Sequence, residues 1–199
     1  DCDHLEEALQ TGASGALTAS GTMAVCRRLD IPMAITCGMG GIGDLRGEEL
    51  CPDLPALMNI PVALISTSPK DMLDRPATLD WLRRHGVHTA GEPCTGYLFC
   101  GEPVALELPL SSCNNEAAVR RLTANGGLLL LNPIPEKERV QDRSILVDAI
   151  KAGKQAEAEG RYYHPAANGE IDRRTGGYSS RIQLESIQQN YLLAKSIMD

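Results

Sequence analysis

A chain of 199 residues with 43% hydrophobic residues is large enough for one globular domain with a substantial core. Aromatic residues make up only 4% and the net charge is -7, which disfavours base-stacking platforms and contacts to a nucleic-acid backbone. No apolar stretch has transmembrane length and no signal peptide is visible. The seven cysteines include no C-x-x-C pair, which predicts reduced thiols rather than a zinc site or a disulfide framework. We therefore expect a cytoplasmic protein without nucleic-acid or membrane partners.

Residues 12–22 are rich in Gly, Ala, Ser and Thr. The sequence that follows them predicts a helix over residues 23–29. Such a loop exposes N–H groups and hydroxyls at a helix N-terminus, which suits an anion such as a phosphate. A tight helix start without a ligand explains the same composition equally well. No G-K-[ST] follows, so the loop is not a Walker A motif.

A strand predicted over residues 32–36 runs into a glycine-rich segment, residues 37–47. Its Gly38, Gly40 and Gly43 formally match a dinucleotide fingerprint, which would suit an NAD-dependent oxidoreductase. The following Gly47, however, would interrupt the helix that this fingerprint requires. We therefore interpret the segment as an ordered loop over a pocket rather than as an NAD site.

Three carboxylates, Glu48, Glu49 and Asp53, follow within six residues. Oxygen ligands at this spacing suit a hard cation such as Mg²⁺ or Mn²⁺. A solvated acidic loop is the alternative, and it is the more common reason for such a cluster.

Lys70 follows a buried strand predicted over residues 62–65 and a short polar turn. Ligands of open α/β sheets bind at the carboxyl ends of the strands. An amine held there, partly out of water, can attack a carbonyl as a Schiff-base lysine. On position alone, a solvated lysine at a helix start is the more frequent arrangement, so the decision depends on the rest of the chain.

The remaining sequence continues the alternation of strands and helices. Helices are predicted over 77–85, 116–122, 142–159 and 181–198, strands over 104–108 and 128–131, and a polar surface loop over 160–174. The proline-flanked loop after residue 131 is expected to hold the Asn132 amide and the Glu136 carboxylate at the sheet edge where Lys70 lies. The alternation predicts a single domain over residues 1–199, a three-layer α/β/α fold with a central, mostly parallel or mixed sheet.

Five segments in order resemble the pseudouridine-5′-phosphate glycosidase family, also called the indigoidine synthase A family. The segments are Gly15-Ala16 with Ser20-Gly21-Thr22-Met23, Gly40-Gly41-Ile42-Gly43 with Arg46-Gly47, Ser68-Pro69-Lys70-Asp71-Met72-Leu73-Asp74, Asn125-Gly126-Gly127-Leu128 with Asn132-Pro133-Ile134-Pro135-Glu136, and Thr175-Gly176-Gly177 with Asn190. The resemblance covers nearly the whole chain and corresponds to the later part of the family's domain. It implies an N-terminal portion, carrying the family's general-acid glutamate and a phosphate-binding lysine, that these residues do not include.

The resemblance implies reversible cleavage of the C–C glycosidic bond of pseudouridine 5′-phosphate, or of a related C-nucleotide, to uracil and ribose 5-phosphate. The family's lysine opens the sugar ring by forming an imine at the anomeric carbon, and this role falls on Lys70. A C–C bond to a base has no leaving oxygen to protonate, and an iminium supplies the electron sink instead. The alternative is a catalytically impaired relative that binds a nucleotide or sugar phosphate.

The resemblance also implies positions that bind the substrate. The family's phosphate-contacting backbone falls on Thr18 and Ala19, and its substrate-holding stretch falls on residues 51–53. Asp53 is kept there, whereas Cys51 stands in place of a serine and is a poorer phosphate donor. Asn132 is a further candidate for substrate binding because of its expected place at the sheet edge.

Two more implied roles concern the metal and the chemistry. The family's Mn²⁺ aspartate falls on Glu49, which keeps an oxygen ligand. The family's catalytic asparagine falls on Gln183, which keeps an amide on a longer arm. Family members are trimeric, so the resemblance also implies a homo-oligomer.

Overall fold

The computed structural model describes residues 1–43, 51–124 and 126–199, which form a parallel sheet between two layers of helices. The helices are α1 (Leu5–Thr11), α2 (Ala19–Arg28), α3 (Asp53–Asn59), α4 (Arg75–Arg84), α5 (Glu116–Thr123), α6 (Ser144–Ala158), α7 (Tyr163–Arg174) and α8 (Tyr178–Met198). The strands are β1 (Met33–Ile35), β2 (Gly38–Met39), β3 (Ala63–Ser66), β4 (Ser68–Pro69), β5 (His88–Gly91) and β6 (Leu128–Leu131). Within these residues, no helix combines the length and the apolar character needed to cross a membrane.

Four of the strands form one sheet in the order β1-β3-β6-β5, and every neighbouring pair is parallel. The four consecutive leucines of β6 are all buried, because a strand inside a parallel sheet is covered on both faces. The predicted strands over residues 32–36, 62–65 and 128–131 are therefore confirmed. The fold class predicted from the alternation is confirmed as well.

Alternate residues of the strands face opposite helix layers, as the two-residue period of a strand requires. On one face, Ala34, Leu64 and Leu129 pack against apolar side chains of α2, α3 and α4. On the other face, Ile65 and Leu130 pack with apolar side chains of α5 and α8. The sheet is thus the middle of three layers.

A third apolar cluster lies where chain segments leave the carboxyl ends of the strands. There α6 and α7 pack against Leu98 and Phe99, and against Ile134 in the loop after β6. The α6–α7 pair therefore covers the edge of the sheet at which ligands of such folds bind.

Two of the predicted elements are wrong. Residues 160–174 are not a surface loop, because most of them form α7, whose Tyr163, Ala167 and Ile171 are buried at helical spacing. Residues 104–108 are not a strand. Only isolated bridges form there, between Cys94 and Val104 and between Ala90 and Leu108.

The close packing of α6 on α7 gives a testable stability difference. A Cβ on Gly153 would lie 2.6 Å from the ring of Tyr163, whereas one on Gly169 of α7 would meet nothing within 4 Å. We expect Gly153→Ala to lower the free energy of unfolding by about 1–3 kcal/mol through overpacking. Gly169→Ala is the matched control and should raise it by about 0.5–1 kcal/mol through helix propensity. Urea unfolding of both variants checks this, and equal midpoints would contradict the packing.

Candidate active site

Lys70 lies directly after β4, beyond the carboxyl end of the main sheet. The short strands β2 and β4 prolong β1 and β3, with Gly38 opposite Ser68 and Met39 opposite Pro69. The Lys70 N–H donates to the carbonyl of Met39 at 3.1 Å, so the ladder itself fixes the start of this side chain. Lys70 is half-buried, which places the amine at the boundary between core and solvent.

The residue after Lys70 fixes the loop that flanks it. The Asp71 carboxylate accepts hydrogen bonds from the backbone N–H groups of Tyr97, Leu98 and Phe99 at 2.7–3.0 Å. Burial raises the pKa of this carboxyl, and the three N–H groups oppose that shift. A carboxylate held in this way orders residues 97–99 beside Lys70.

A cavity of about 10 Å³ lies on one side of Lys70, lined also by Tyr97 and by Asn168 and Ile171 of α7. That volume accepts about one water molecule. A sugar phosphate is larger than this cavity, and α7 covers this side of the lysine.

Gln183 is brought close to Lys70 through two intermediate side chains. The Tyr97 hydroxyl donates to Oε1 of Gln183 at 2.9 Å, and the Cys37 thiol donates to the Gln183 carbonyl at 3.5 Å. Burial raises the pKa of that thiol, while the Lys70 charge lowers it. The Gln183 amide nitrogen donates to the Ser179 carbonyl at 3.2 Å, so the amide is oriented at both ends.

Thr18 and Asp53 both hydrogen-bond the first turn of α2, which begins at Ala19. Thr18 caps the N-terminus of α2, with its hydroxyl accepting from the N–H of Gly21 at 3.3 Å. The buried Asp53 carboxylate accepts from the N–H of Ser20 at 3.0 Å and from the N–H of Gly40 at 2.8 Å. Gly40 follows Met39, the residue that accepts from Lys70, so this set of bonds leads to the lysine.

The glycines of the second loop allow close packing. A Cβ on Gly38 would lie 2.7 Å from the Tyr97 ring, and one on Gly40 would overlap the Cys51 sulfur. Cys51 therefore packs against the backbone beside Lys70. The close neighbours of these two glycines are protein atoms, which leaves no space there for a dinucleotide.

Glu49, the predicted Mn²⁺ ligand, lies outside the described residues, as does all of residues 44–50. Of the acidic cluster only Asp53 is described, and both of its oxygens already accept backbone hydrogen bonds. A search of the described ranges finds no group of three or more His, Cys, Asp or Glu side chains able to hold a metal ion.

Asn132 lies at the predicted sheet edge, but its side chain points elsewhere. Its N–H donates to the Ser66 carbonyl at 2.9 Å, and its amide nitrogen donates to Oδ1 of the buried Asn190 of α8 at 2.9 Å. Asn132 lines a separate groove of about 420 Å³ with Ile134, Ile182 and Ser186. Glu136 is exposed in a short 3₁₀ turn. Asn132 therefore lies at the predicted sheet edge with its amide held by Asn190, and its role in substrate binding stays a prediction.

His164, in the first turn of α7, is a residue that the sequence analysis missed. Its Nδ1 is buried and has no hydrogen-bond partner within residues 1–43, 51–124 and 126–199. Burial and the nearby Lys70 charge lower its pKa to about 4, and the Asp53 charge acts in the opposite direction. The helical spacing of Tyr163, Ala167 and Ile171 was the signal that could have placed His164 on a packed helix.

The low pKa of His164 makes a prediction about stability. Between pH 6.5, its ordinary pKa, and about 4, the unfolded chain binds a proton that the folded chain does not. His164 therefore makes its full contribution to the free energy of unfolding above pH 6.5. That contribution is lost as the pH falls towards 4. We expect about 1–2 kcal/mol after allowing for partial solvent screening.

Urea titrations at pH 7 and pH 5, compared between the wild type and His164→Gln, measure this contribution. The wild type should lose more stability than the variant on acidification. An equal loss in both proteins would show that the folded chain does not exclude the proton from His164.

The chain is similar over nearly its whole length to proteins of one family. The family model described as indigoidine synthase A like protein matches residues 3–198. A Methylobacterium nodulans protein named pseudouridine-5′-phosphate glycosidase is 30% identical over 97% of this chain and 61% of its own length. An Escherichia coli protein of the same name is 29% identical over 94% of this chain and 64% of its own length. The chain thus spans about three fifths of the length of these relatives.

Two solved structures share the fold. A Thermotoga maritima indigoidine synthase A-like protein superposes with a TM-score of 0.75 at 21% identity, covering 98% of this chain and 68% of its own. The prealnumycin C-glycosynthase AlnA, solved in complex with ribulose 5-phosphate, superposes with a TM-score of 0.74 at 24% identity, covering 98% and 67%. At sequence identities of 21% and 24%, these superpositions establish that the chain shares the fold of the two proteins.

Proposed function

Because the chain belongs to the indigoidine synthase A-like protein family, we propose that it forms or breaks the C–C bond between a nucleobase and ribose 5-phosphate. The proposed reaction is reversible cleavage of pseudouridine 5′-phosphate, or a related C-nucleotide, to uracil and ribose 5-phosphate. Relatives named pseudouridine-5′-phosphate glycosidase support the substrate. The ribulose 5-phosphate bound to a C-glycosynthase of the same fold supports a sugar phosphate as ligand.

The observation that carries this proposal is the position of Lys70. The strand ladder holds its backbone at the carboxyl edge of a parallel sheet, and its side chain is half-buried there. In the proposed synthetic direction the amine condenses with the aldehyde of the open-chain ribose 5-phosphate with loss of water, and the resulting iminium accepts the electron pair of the uracil carbon as the C–C bond forms and that carbon loses its proton. Cleavage is the reverse: the electron pair of the C–C bond leaves with the base, which takes up a proton, while the Lys70 nitrogen forms the iminium, and water then releases ribose 5-phosphate.

The substrate is proposed to approach Lys70 from the side of α2 and Asp53, since the cavity towards α7 holds about one water. The N-terminus of α2 is proposed to offer the phosphate the backbone of Thr18 and Ala19 and a positive partial charge, since the N–H groups of Ser20 and Gly21 are already bound to Asp53 and Thr18. Asp53 contributes by holding this helix start and the Gly40 backbone in one arrangement, with Cys51 packed beside it.

Gln183 is proposed to present its amide to the sugar or the base. Its oxygen accepts from the Tyr97 hydroxyl and its nitrogen donates to Ser179, so the second amide hydrogen has a defined direction. The proposal also includes a Mn²⁺ site with Glu49 as a ligand, assembly into a homo-oligomer and a cytoplasmic location.

Turnover assays test the proposed reaction directly. The chain is incubated with pseudouridine 5′-phosphate and Mn²⁺, and separately with uracil and ribose 5-phosphate, and both mixtures are resolved by chromatography. Formation of uracil in the first and of the C-nucleotide in the second supports the enzyme. Saturable binding of pseudouridine 5′-phosphate without any conversion would instead identify a catalytically impaired relative.

A further inference from the structure

Tyr97 connects the loop beside Lys70 to the side chain of Gln183. Its N–H donates at 2.8 Å to the carboxylate of Asp71, the residue that follows Lys70. Its ring lies against β2, since a Cβ on Gly38 would be 2.7 Å from that ring. At the far end, its hydroxyl donates to Oε1 of Gln183 at 2.9 Å. One rigid side chain therefore sets where the Gln183 amide lies relative to the lysine loop.

The hydrogen bonds of the Gln183 amide fix which of its two ends faces which partner. The Ser179 carbonyl can only accept, so the atom 3.2 Å from it is the amide nitrogen. The amide oxygen consequently faces Tyr97, whose hydroxyl donates to it. Burial raises the pKa of Tyr97 well above its ordinary value, so the hydroxyl keeps the proton that it donates. The reversed amide would set its oxygen against the Ser179 carbonyl.

Gln183 can therefore offer a ligand a hydrogen-bond donor. The amide nitrogen carries two hydrogens, and Ser179 accepts one of them. The other meets no acceptor within the part of the chain that the structure describes. Gln183 is half-buried, whereas only 4% of Tyr97 is exposed, so a ligand can reach the amide but not the hydroxyl. Tyr97 acts on a ligand only through Gln183.

We propose that Tyr97 is a positioning residue that determines what Gln183 recognises, a role that rests on the proposed function of Gln183. By holding the amide oxygen, Tyr97 leaves the site an N–H donor, which selects a ligand atom that accepts a hydrogen bond. That atom is an oxygen of the ligand, either on the sugar phosphate or on a carbonyl of the base. An amino group at the same place is rejected, because two donors that face each other both stay unpaired.

The first test observes the amide directly and needs no ligand. Proton–nitrogen NMR spectra follow the Gln183 side-chain amide, which is assigned by its absence from Gln183→Glu. Tyr97→Phe removes only the hydroxyl and should make exchange of these amide hydrogens with solvent about 3–10-fold faster. The control is Tyr178→Phe, which removes a hydroxyl that donates from the same helix to the Glu138 carbonyl at 2.7 Å. It should leave the Gln183 exchange rate unchanged, and an unchanged rate in Tyr97→Phe overturns the inference.

The second test asks whether a ligand uses the Gln183 N–H. Calorimetric titration compares the binding of ribose 5-phosphate and of pseudouridine 5′-phosphate to the wild type and the variants. Gln183→Glu keeps an acceptor for Tyr97 but replaces the N–H with an oxygen, so its affinity should fall on the order of 10²-fold. Tyr97→Phe should lower the affinity about 3–10-fold. A loss with both ligands assigns the acceptor to the sugar phosphate, and a loss with pseudouridine 5′-phosphate alone assigns it to the base. Wild-type affinity of Gln183→Glu for both ligands overturns the inference.

A double-mutant cycle separates positioning from a general effect on the fold. Gln183→Met keeps the length of the side chain but has no amide. In that background Tyr97→Phe should lower the affinity no further, because the hydroxyl acts only through the amide. Additive losses in the two variants would show that Tyr97 merely supports the fold, and would overturn the inference. If the wild type binds neither ligand, the proposed function fails, and the exchange rates alone support or overturn the hold of Tyr97 on the amide.

Discussion

Replacing Lys70 with alanine is expected to lower the turnover of pseudouridine 5′-phosphate on the order of 10³-fold or more, because no imine can then form. The folded state should be affected little, since the hydrogen bond of residue 70 to Met39 is made by the backbone and the half-buried side chain belongs to no hydrogen-bond network within residues 1–43, 51–124 and 126–199. Uracil release at saturating substrate, together with the urea midpoint of the variant, checks both parts.

Lys70→Arg is the matched control for this prediction. It keeps the positive charge and most of the side-chain length, but a guanidinium is effectively always protonated and does not form imines. It should therefore be as inactive as the alanine variant. Activity of Lys70→Arg within tenfold of the wild type would mean that residue 70 acts only through its charge.

Replacing Asp53 with alanine is expected to lower the free energy of unfolding by about 2–4 kcal/mol. The substitution leaves the N–H groups of Ser20 and Gly40 without their acceptor in a buried place, and each such loss costs about 1–3 kcal/mol. Because these bonds hold the start of α2 against the loop beside Lys70, binding of ribose 5-phosphate should weaken as well. Urea unfolding and calorimetric titration measure the two effects.

Two further variants sharpen the Asp53 result. Asp53→Asn retains one acceptor oxygen and should lose less stability than the alanine variant. Asp80→Ala removes an exposed carboxylate that pairs with arginines on the surface of α4, and should cost about 0.5 kcal/mol or less. If Asp53→Ala is no less stable than Asp80→Ala, the two buried hydrogen bonds do not hold the loops together.

The sequence predicted the centre of the fold well because its signals there are local. The apolar runs that became β3 and β6 are uninterrupted, and a strand covered on both faces requires such a run. The place of Lys70 after β4 follows from the same reasoning, since parallel strands present their carboxyl ends at one edge.

The elements that were missed have weaker local signals. Strand β5 has the sequence His-Thr-Ala-Gly and pairs only with β6 in the main sheet. It is therefore an edge strand of that sheet, which needs neither a long apolar run nor a paired strand on each side. Helix α7 contains Pro165 and follows Gly160, which favours a loop by composition, although proline is tolerated in a first helical turn. The helix forms because Tyr163, Ala167 and Ile171 are buried.

Side-chain partners distant in the chain were beyond the reach of sequence patterns. Asn132 stands at the predicted edge, yet its amide is bound by Asn190, 58 residues away. His164 becomes buried near the Lys70 and Asp53 charges only when α7 packs over the loops that leave the sheet. A pattern along the chain predicts which edge a residue occupies, whereas the direction of its side chain depends on what packs there.

Trapping of the imine tests the central claim most directly. The chain is incubated with ribose 5-phosphate, reduced with borohydride, and digested, and the modified peptide is identified by mass spectrometry. We predict one covalent sugar adduct on Lys70, formed with the wild type and missing from Lys70→Ala. A wild-type chain that binds ribose 5-phosphate but yields no adduct, or an adduct on a different lysine, would contradict the account.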